Sequence, residues 1–122
     1  MRCKFCYGVV AQNGNDFICQ QCGKTIDVGK KYTLSAHRRR DGKYRSYAHT
    51  SLRVGCLCYV DINDFKVGES GLFYAECVEN GDKYIHTFTT SLVNEVVQDG
   101  DMLTILTNNT KFIFTELNER SE

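Results

Sequence analysis

The feature that most constrains this chain is a pair of short cysteine motifs near its start. Cys3 and Cys6 enclose two residues, Cys19 and Cys22 enclose two more, and twelve residues separate the motifs. A segment of about 24 residues buries too little apolar surface to fold unaided. Four thiolates so arranged can surround one Zn²⁺ as a tetrahedron and supply the missing stability. We therefore predict one structural zinc ion per chain, with Cys3, Cys6, Cys19 and Cys22 as its ligands.

The residues between the motifs predict a β-hairpin that joins the two cysteine loops. Asn13-Gly14 is typical of a two-residue turn, because both positions tolerate positive φ. The whole pattern resembles the zinc-ribbon superfamily over residues 1–24, although Tyr7 rather than glycine follows Cys6. The resemblance implies a structural metal and often a contact role with nucleic acid or protein. It does not imply catalysis, because four thiolates leave no coordination position for water.

The chain after this N-terminal ribbon (residues 1–26) predicts an all-β domain over residues 28–118. Its segments are rich in Val, Ile, Thr, Tyr and Phe and are separated by Asp-Gly, Asn-Gly and Asn-Asn turns. Short connections favour antiparallel pairing, and sheet edges need closing or covering, so we expect a small antiparallel β barrel or sandwich. The predicted strands span residues 30–39, 43–50, 54–61, 70–78, 83–90, 92–98, 101–107 and 110–117.

The predicted β domain contains an internal repeat. Residues 28–52 align with residues 67–92, with one inserted residue, and nine of the 25 aligned positions are identical. Both copies end in Thr-Ser-Leu at a nearly constant offset. We interpret the domain as two related hairpin units that pack on each other. The alternative is that any two hairpins share turn glycines.

Charge is distributed unevenly along a chain of zero formal net charge. Residues 28–53 hold eight Lys or Arg and one Asp, whereas residues 54–122 hold four basic and twelve acidic residues. A two-residue loop at Asp41-Gly42 would place its flanking basic residues on one face, with Tyr32 farther along that face. Arginine binds phosphate and tyrosine stacks on bases, so the segment predicts binding of nucleic acid or another polyanion. The residues predicted to contact it are Arg38, Arg39, Arg40, Lys43, Tyr44, Arg45 and Tyr47, extended by Arg2, Lys4 and Lys24.

Other functions stay open beside nucleic-acid binding. The basic segment is also compatible with a solvated turn, or with one paired to the acidic residues. The acidic half would suit a protein-interaction or inhibitor module, such as a regulatory or mobile-element accessory protein, or a homodimer that pairs opposite charges. A pocket for a small phosphorylated ligand is a third hypothesis. The sequence has no phosphate loop, nucleophile elbow or His-Glu metal helix, so we do not expect an enzyme.

The remaining cysteines predict core residues in a reducing compartment. Cys56 and Cys58 alternate with Leu57 and share a predicted core face with Val54, Val60 and Ile62, and Cys77 lies in another strand. A second metal site or nucleophile pair with His49 or His86 is the minor alternative. An odd cysteine number favours a cytoplasmic protein over a disulfide scaffold. No apolar run approaches 18 residues, so we expect no membrane span.

Overall fold

The computed structural model describes residues 1–39 and 53–117, and both ranges are built from β-strands. The side chain of Arg39 lies outside this description. So do residues 40–52 and 118–122, which include the predicted strand 43–50. The proposed contact residues Arg40, Lys43, Tyr44, Arg45 and Tyr47, and also His49, therefore lie outside the described residues.

Eight strands and one short helical turn make up the described fold. The predicted hairpin is present, with β1 (Val10–Asn13) and β2 (Asp16–Cys19) joined at Asn13 and Asp16. A 3₁₀ turn, Ile62–Asp64, lies between β4 and β5. Within the described residues no helix is long and apolar enough to cross a membrane. The other strands are β3 (Lys30–Arg39), β4 (Leu57–Val60), β5 (Ser70–Glu79), β6 (Asp82–Asp99), β7 (Met102–Thr107) and β8 (Thr110–Glu116).

Strands β3 to β8 form a closed antiparallel barrel in sequence order. The barrel closes because β8 returns to pair with β3, with Leu34 opposite Phe114. The predicted all-β class is confirmed, and the barrel alternative holds rather than the sandwich. Its interior is aromatic: the ring of Phe73 stacks on Phe88 at 5.4 Å between centroids and meets Phe112 and Phe114 edge-on. Strands β3 and β5 begin near corresponding positions of the two predicted repeats, and the duplication itself stays a prediction.

Two predicted strand boundaries are wrong. The predicted strands 83–90 and 92–98 are one 18-residue strand, β6. Its first half pairs with β5 and its second half with β7, and a register shift between Val93 and Glu95 lies in the second half. A bulge bends a strand, which lets β6 pass from one neighbour to the next. Strand β4 covers only 57–60 of the predicted 54–61, so the core stripe keeps Cys58 and Val60 but leaves Val54 and Ile62 exposed.

A bulge in β3 changes which side chains face the barrel interior. Tyr32 and Leu34 are buried, the register against β8 shifts between Leu34 and Ala36, and His37 is the next fully buried residue. Arg38 is therefore exposed, whereas Tyr32 lies in the core. The prediction that Tyr32 shares a face with Arg38 is wrong, because simple alternation does not continue through an inserted residue.

The N-terminal ribbon packs on the outer wall of the barrel. Phe17 of β2 meets Tyr59 of β4 edge-to-face at 6.1 Å between ring centroids. The same apolar cluster includes Tyr74, which is 1% exposed although its neighbour Phe73 fills the barrel interior. The middle of strand β5 is therefore buried on both faces, once by the barrel and once by the ribbon.

Candidate metal centre

The four predicted cysteine ligands converge at one end of the ribbon. All four sulfur atoms lie within 4.8 Å of one another, with Cys3 and Cys22 separated by 3.9 Å and Cys6 and Cys19 by 3.4 Å. A zinc–sulfur bond of about 2.3 Å gives a tetrahedron with sulfur–sulfur edges of about 3.8 Å. The number of thiols and their spacing therefore fit a single metal ion held by four thiolates.

The two cysteine loops share one backbone design. In the first loop the N–H of Tyr7 donates to the carbonyl of Cys3 at 2.9 Å, and in the second the N–H of Gly23 donates to the carbonyl of Cys19 at 3.0 Å. Tyr7 and Gly23 occupy equivalent positions and both have positive φ, 61° and 74°. The absence of glycine after Cys6 therefore does not change the loop, because Tyr7 adopts the left-handed conformation that glycine prefers.

Backbone amides in both loops point at sulfur. The N–H of Phe5 donates to Cys3 Sγ at 3.3 Å, and the N–H groups of Gln21 and Cys22 each donate to Cys19 Sγ at 3.4 Å. The hydrogen bond from Cys22 is the main cause that lowers the pKa of Cys19 to about 6. Thiolate is the form that binds metal, so these amides favour the ligating state.

Hydrogen bonds and an ion pair hold the metal loops against the barrel. The Tyr74 hydroxyl donates to the carbonyl of Arg2 at 2.9 Å, and the Arg2 N–H donates to Thr87 Oγ1 at 2.7 Å. The Lys4 ammonium donates to Asp64 at 2.7 Å, and its side chain is only 10% exposed. Lys4 was expected to extend the basic surface, and that expectation is wrong because Asp64 and the nearby Asp61 hold it.

Two aromatic side chains project from the first cysteine loop into solvent. Phe5 is 60% exposed and Tyr7 is 55% exposed. The Lys24 ammonium lies 4.7 Å from the centroid of the Phe5 ring, and the Arg2 guanidinium lies 5.9 Å from that of Tyr7. Sequence reasoning missed these rings, although aromatic residues within and directly after a metal loop were a usable signal.

Of the residues of the basic segment proposed to contact nucleic acid, Arg38 is the one whose side chain the structure describes. It lies opposite Lys111 of β8, and both residues are exposed. Directly opposed residues of an antiparallel pair share a face, and like charges there destabilise the pair. Lys111 belongs to the acidic half of the sequence, so only the closure of the barrel identifies it as a neighbour of the basic segment.

The other three cysteines line the barrel. Cys56 and Cys58 lie 3.7 Å apart at sulfur, and the Cys58 thiol as hydrogen-bond donor lowers the pKa of Cys56 to about 7. Burial raises the pKa of Cys77 to about 11. All seven cysteines lie in the described ranges and all are free thiols. Among the described residues, only the four ribbon cysteines bring three or more ligating groups close enough for one ion, so no second metal site is found there.

Comparisons with known protein families, with curated proteins and with solved structures find no match to this chain. The fold and the site alone define its class. It is an all-β protein in which a ribbon with a cluster of four cysteines, close enough together to hold one metal ion, is docked on a six-stranded closed barrel.

Proposed function

We propose that this protein binds nucleic acid through a basic surface at the end of β3 and that a structural zinc ion stabilises its N-terminal ribbon. The observation that carries the proposal is the cross-strand pair of like charges, Arg38 opposite Lys111. It lies where the chain enters its most basic segment. Six further proposed contact residues follow Arg38 in the sequence. The repulsion between Arg38 and Lys111 is relieved when a phosphate group binds beside them, so the pair favours a polyanionic ligand.

Zinc is the metal we propose because all four ligands are thiolates. Soft thiolate donors in a tetrahedral set suit Zn²⁺, and four of them complete its coordination. The ion would therefore stabilise the ribbon without activating water or substrate. Reduced thiols are required for binding, which favours a reducing compartment such as the cytoplasm.

The salt dependence of binding tests the proposed contact surface. If four or five phosphates are neutralised on a duplex, log K falls against log salt with a slope of about −4. We expect the combined replacement of Arg38, Arg40, Lys43 and Arg45 by glutamine to flatten that slope. Lys66 lies outside the basic segment, so Lys66→Gln is the matched control and should leave the slope unchanged. Fluorescence anisotropy with a labelled duplex measures both, and a flat response of the unmodified protein would overturn the proposal.

A protein-binding module is the second candidate. Val67 is 68% exposed and Leu92 is also exposed, and the residues that follow them, Gly68 and Val93, are joined by a backbone hydrogen bond. Two exposed aliphatic side chains at one end of the barrel suit a protein contact or a homodimer more than a phosphate backbone. Sedimentation at low and high salt separates the candidates, because a dimer that persists in high salt and ignores nucleic acid favours the second.

A further inference from the structure

The exposed rings of the first cysteine loop stand on an ordered backbone. The N–H of Phe5 donates to Cys3 Sγ, and the N–H of Cys3 donates to the carbonyl of Gly8, so hydrogen bonds hold the loop on both sides of the rings. Tyr7 follows directly in the left-handed conformation, at φ 61°. The backbone that carries the two rings is therefore ordered before a ligand binds, which limits the conformational entropy that the loop loses on binding.

The ribbon buries part of its apolar surface against the barrel and leaves these two rings in solvent. Val10 and Phe17 of the same hairpin are buried against the barrel, whereas Phe5 and Tyr7 remain more than half exposed. Packing therefore does not account for the rings. Each ring has a cation over it, Lys24 over Phe5 and Arg2 over Tyr7. Flat rings flanked by positive charge complement the flat bases and negative phosphates of a nucleic acid strand.

We infer that Phe5 and Tyr7 form a stacking surface for the unpaired bases of single-stranded nucleic acid. The inference rests on the proposed function and names the form of nucleic acid that the ribbon takes. A duplex keeps its base faces stacked inside the helix, so only an unpaired strand can present them to these rings.

The ribbon contributes stacking, and the basic segment contributes charge. Four thiolates around one Zn²⁺ carry a net charge of about −2, which Arg2 and Lys24 offset. The surface around the rings is therefore close to neutral, and counterion release arises mainly at the basic segment. Removing a ring should weaken binding of an unpaired strand without changing the salt slope, whereas removing the basic residues should change the slope.

The test uses the full, zinc-loaded chain and three labelled probes: an oligothymidine of about 12 nucleotides, an abasic strand of the same length, and a duplex. We expect the unmodified protein to bind oligothymidine at least about 5-fold more tightly than the abasic strand. Phe5→Ser and Tyr7→Gly should each weaken oligothymidine binding by about 5-fold or more, because stacking of one base is lost. Neither should change binding of the abasic strand.

Controls separate loss of a ring from loss of the fold. Tyr7→Gly suits the positive φ at that position, and Tyr7→Phe keeps the ring and should retain full affinity. Val9 is 56% exposed in the same loop region and has no ring, so Val9→Ala should bind like the unmodified protein. One zinc per chain in every variant confirms that the ribbon is folded.

The outcomes distinguish the inference from the proposed function. If the ring variants bind oligothymidine as the unmodified protein does, or if the abasic strand binds equally well, the stacking surface is refuted. Salt-dependent binding that still needs the basic residues would leave the proposed function intact in that case. If the unmodified protein binds none of the three probes, both are overturned.

Discussion

Replacing Tyr74 by phenylalanine tests whether the N-terminal ribbon is docked on the barrel as described. The substitution keeps a ring that is 1% exposed and removes only the hydroxyl that donates to the Arg2 carbonyl at 2.9 Å. Burial raises the pKa of Tyr74 above the usual tyrosine range, so the hydroxyl remains protonated and donates at any ordinary assay pH.

The expected cost of Tyr74→Phe is about 1–2 kcal/mol in the free energy of unfolding. A net hydrogen bond contributes about 0.5–1.5 kcal/mol, and a buried acceptor left without its donor costs about 1–3 kcal/mol. Arg2 is an exposed residue, so water can partly hydrate its carbonyl, which places the expected cost below the upper end of the second range. The Arg2 N–H keeps its own bond to Thr87, so the ribbon should stay docked but less tightly.

Urea unfolding of the zinc-loaded protein measures this cost, with circular dichroism reporting the sheet and a metal indicator reporting zinc release. Tyr84→Phe is the matched control, because Tyr84 is an exposed tyrosine on β6 and its substitution should change stability by less than about 0.5 kcal/mol. A Tyr74→Phe variant as stable as the control would refute the described contact between ribbon and barrel.

Three further predictions follow from other parts of the molecule. Elemental analysis should find one zinc per chain and none in Cys19→Ser, because three thiols cannot complete the site; metal-free native protein would contradict the metal centre. In zinc-loaded protein, iodoacetamide should modify Cys56 before Cys77, and the rate at Cys56 should rise with pH around a midpoint near 7. Mass spectrometry should show slower modification of Cys56 in Cys58→Ala, because this variant lacks the hydrogen-bond donor that lowers the pKa of Cys56. Gly29→Ala should destabilise the protein by about 2 kcal/mol or more in urea, because φ is 83° and a Cβ would lie 2.2 Å from the Val60 carbonyl oxygen; unchanged stability would disprove that close approach.

The cysteine cluster was predictable because its geometry is local. Two residues between cysteines are enough to bend each loop so that both its sulfur atoms face one point, and the Asn13-Gly14 turn brings the two loops together. The same holds for turns such as Asn80-Gly81 and Asp99-Gly100, which end β5 and β6 where the sequence places them. These features depend on residues close together in the chain, so sequence alone reports them.

The course of β6 and the bulge in β3 were not predictable in the same way. Polar residues Thr89 to Ser91 in the middle of β6 resemble an interruption, although the strand continues past them. Ser35, where β3 shifts register, is an ordinary small residue that does not mark a bulge. Both features follow from pairing with strands distant in sequence, which local patterns do not encode.

The docking of the ribbon on β5 is indicated by a run of apolar residues in the sequence of that strand. A strand with one solvent-exposed face alternates apolar and polar side chains. Strand β5 instead has four consecutive apolar residues, Leu72, Phe73, Tyr74 and Ala75. Such a run indicates a strand covered on both faces. Among the described residues, the barrel covers one face and the ribbon covers the other.

If the four cysteines hold a metal ion, the packing of the ribbon on the barrel makes metal supply a condition for the surface chemistry of the whole molecule. If the ion is withdrawn, the ribbon loses its main source of order, and the side chains it shields on the barrel meet water. A contiguous exposed apolar patch of this kind promotes aggregation with other chains and degradation by quality-control proteases. A shortage of zinc would thus unfold the N-terminal ribbon and also shorten the lifetime of the barrel. The side chains uncovered would be Tyr59, Leu72, Tyr74 and Ile85.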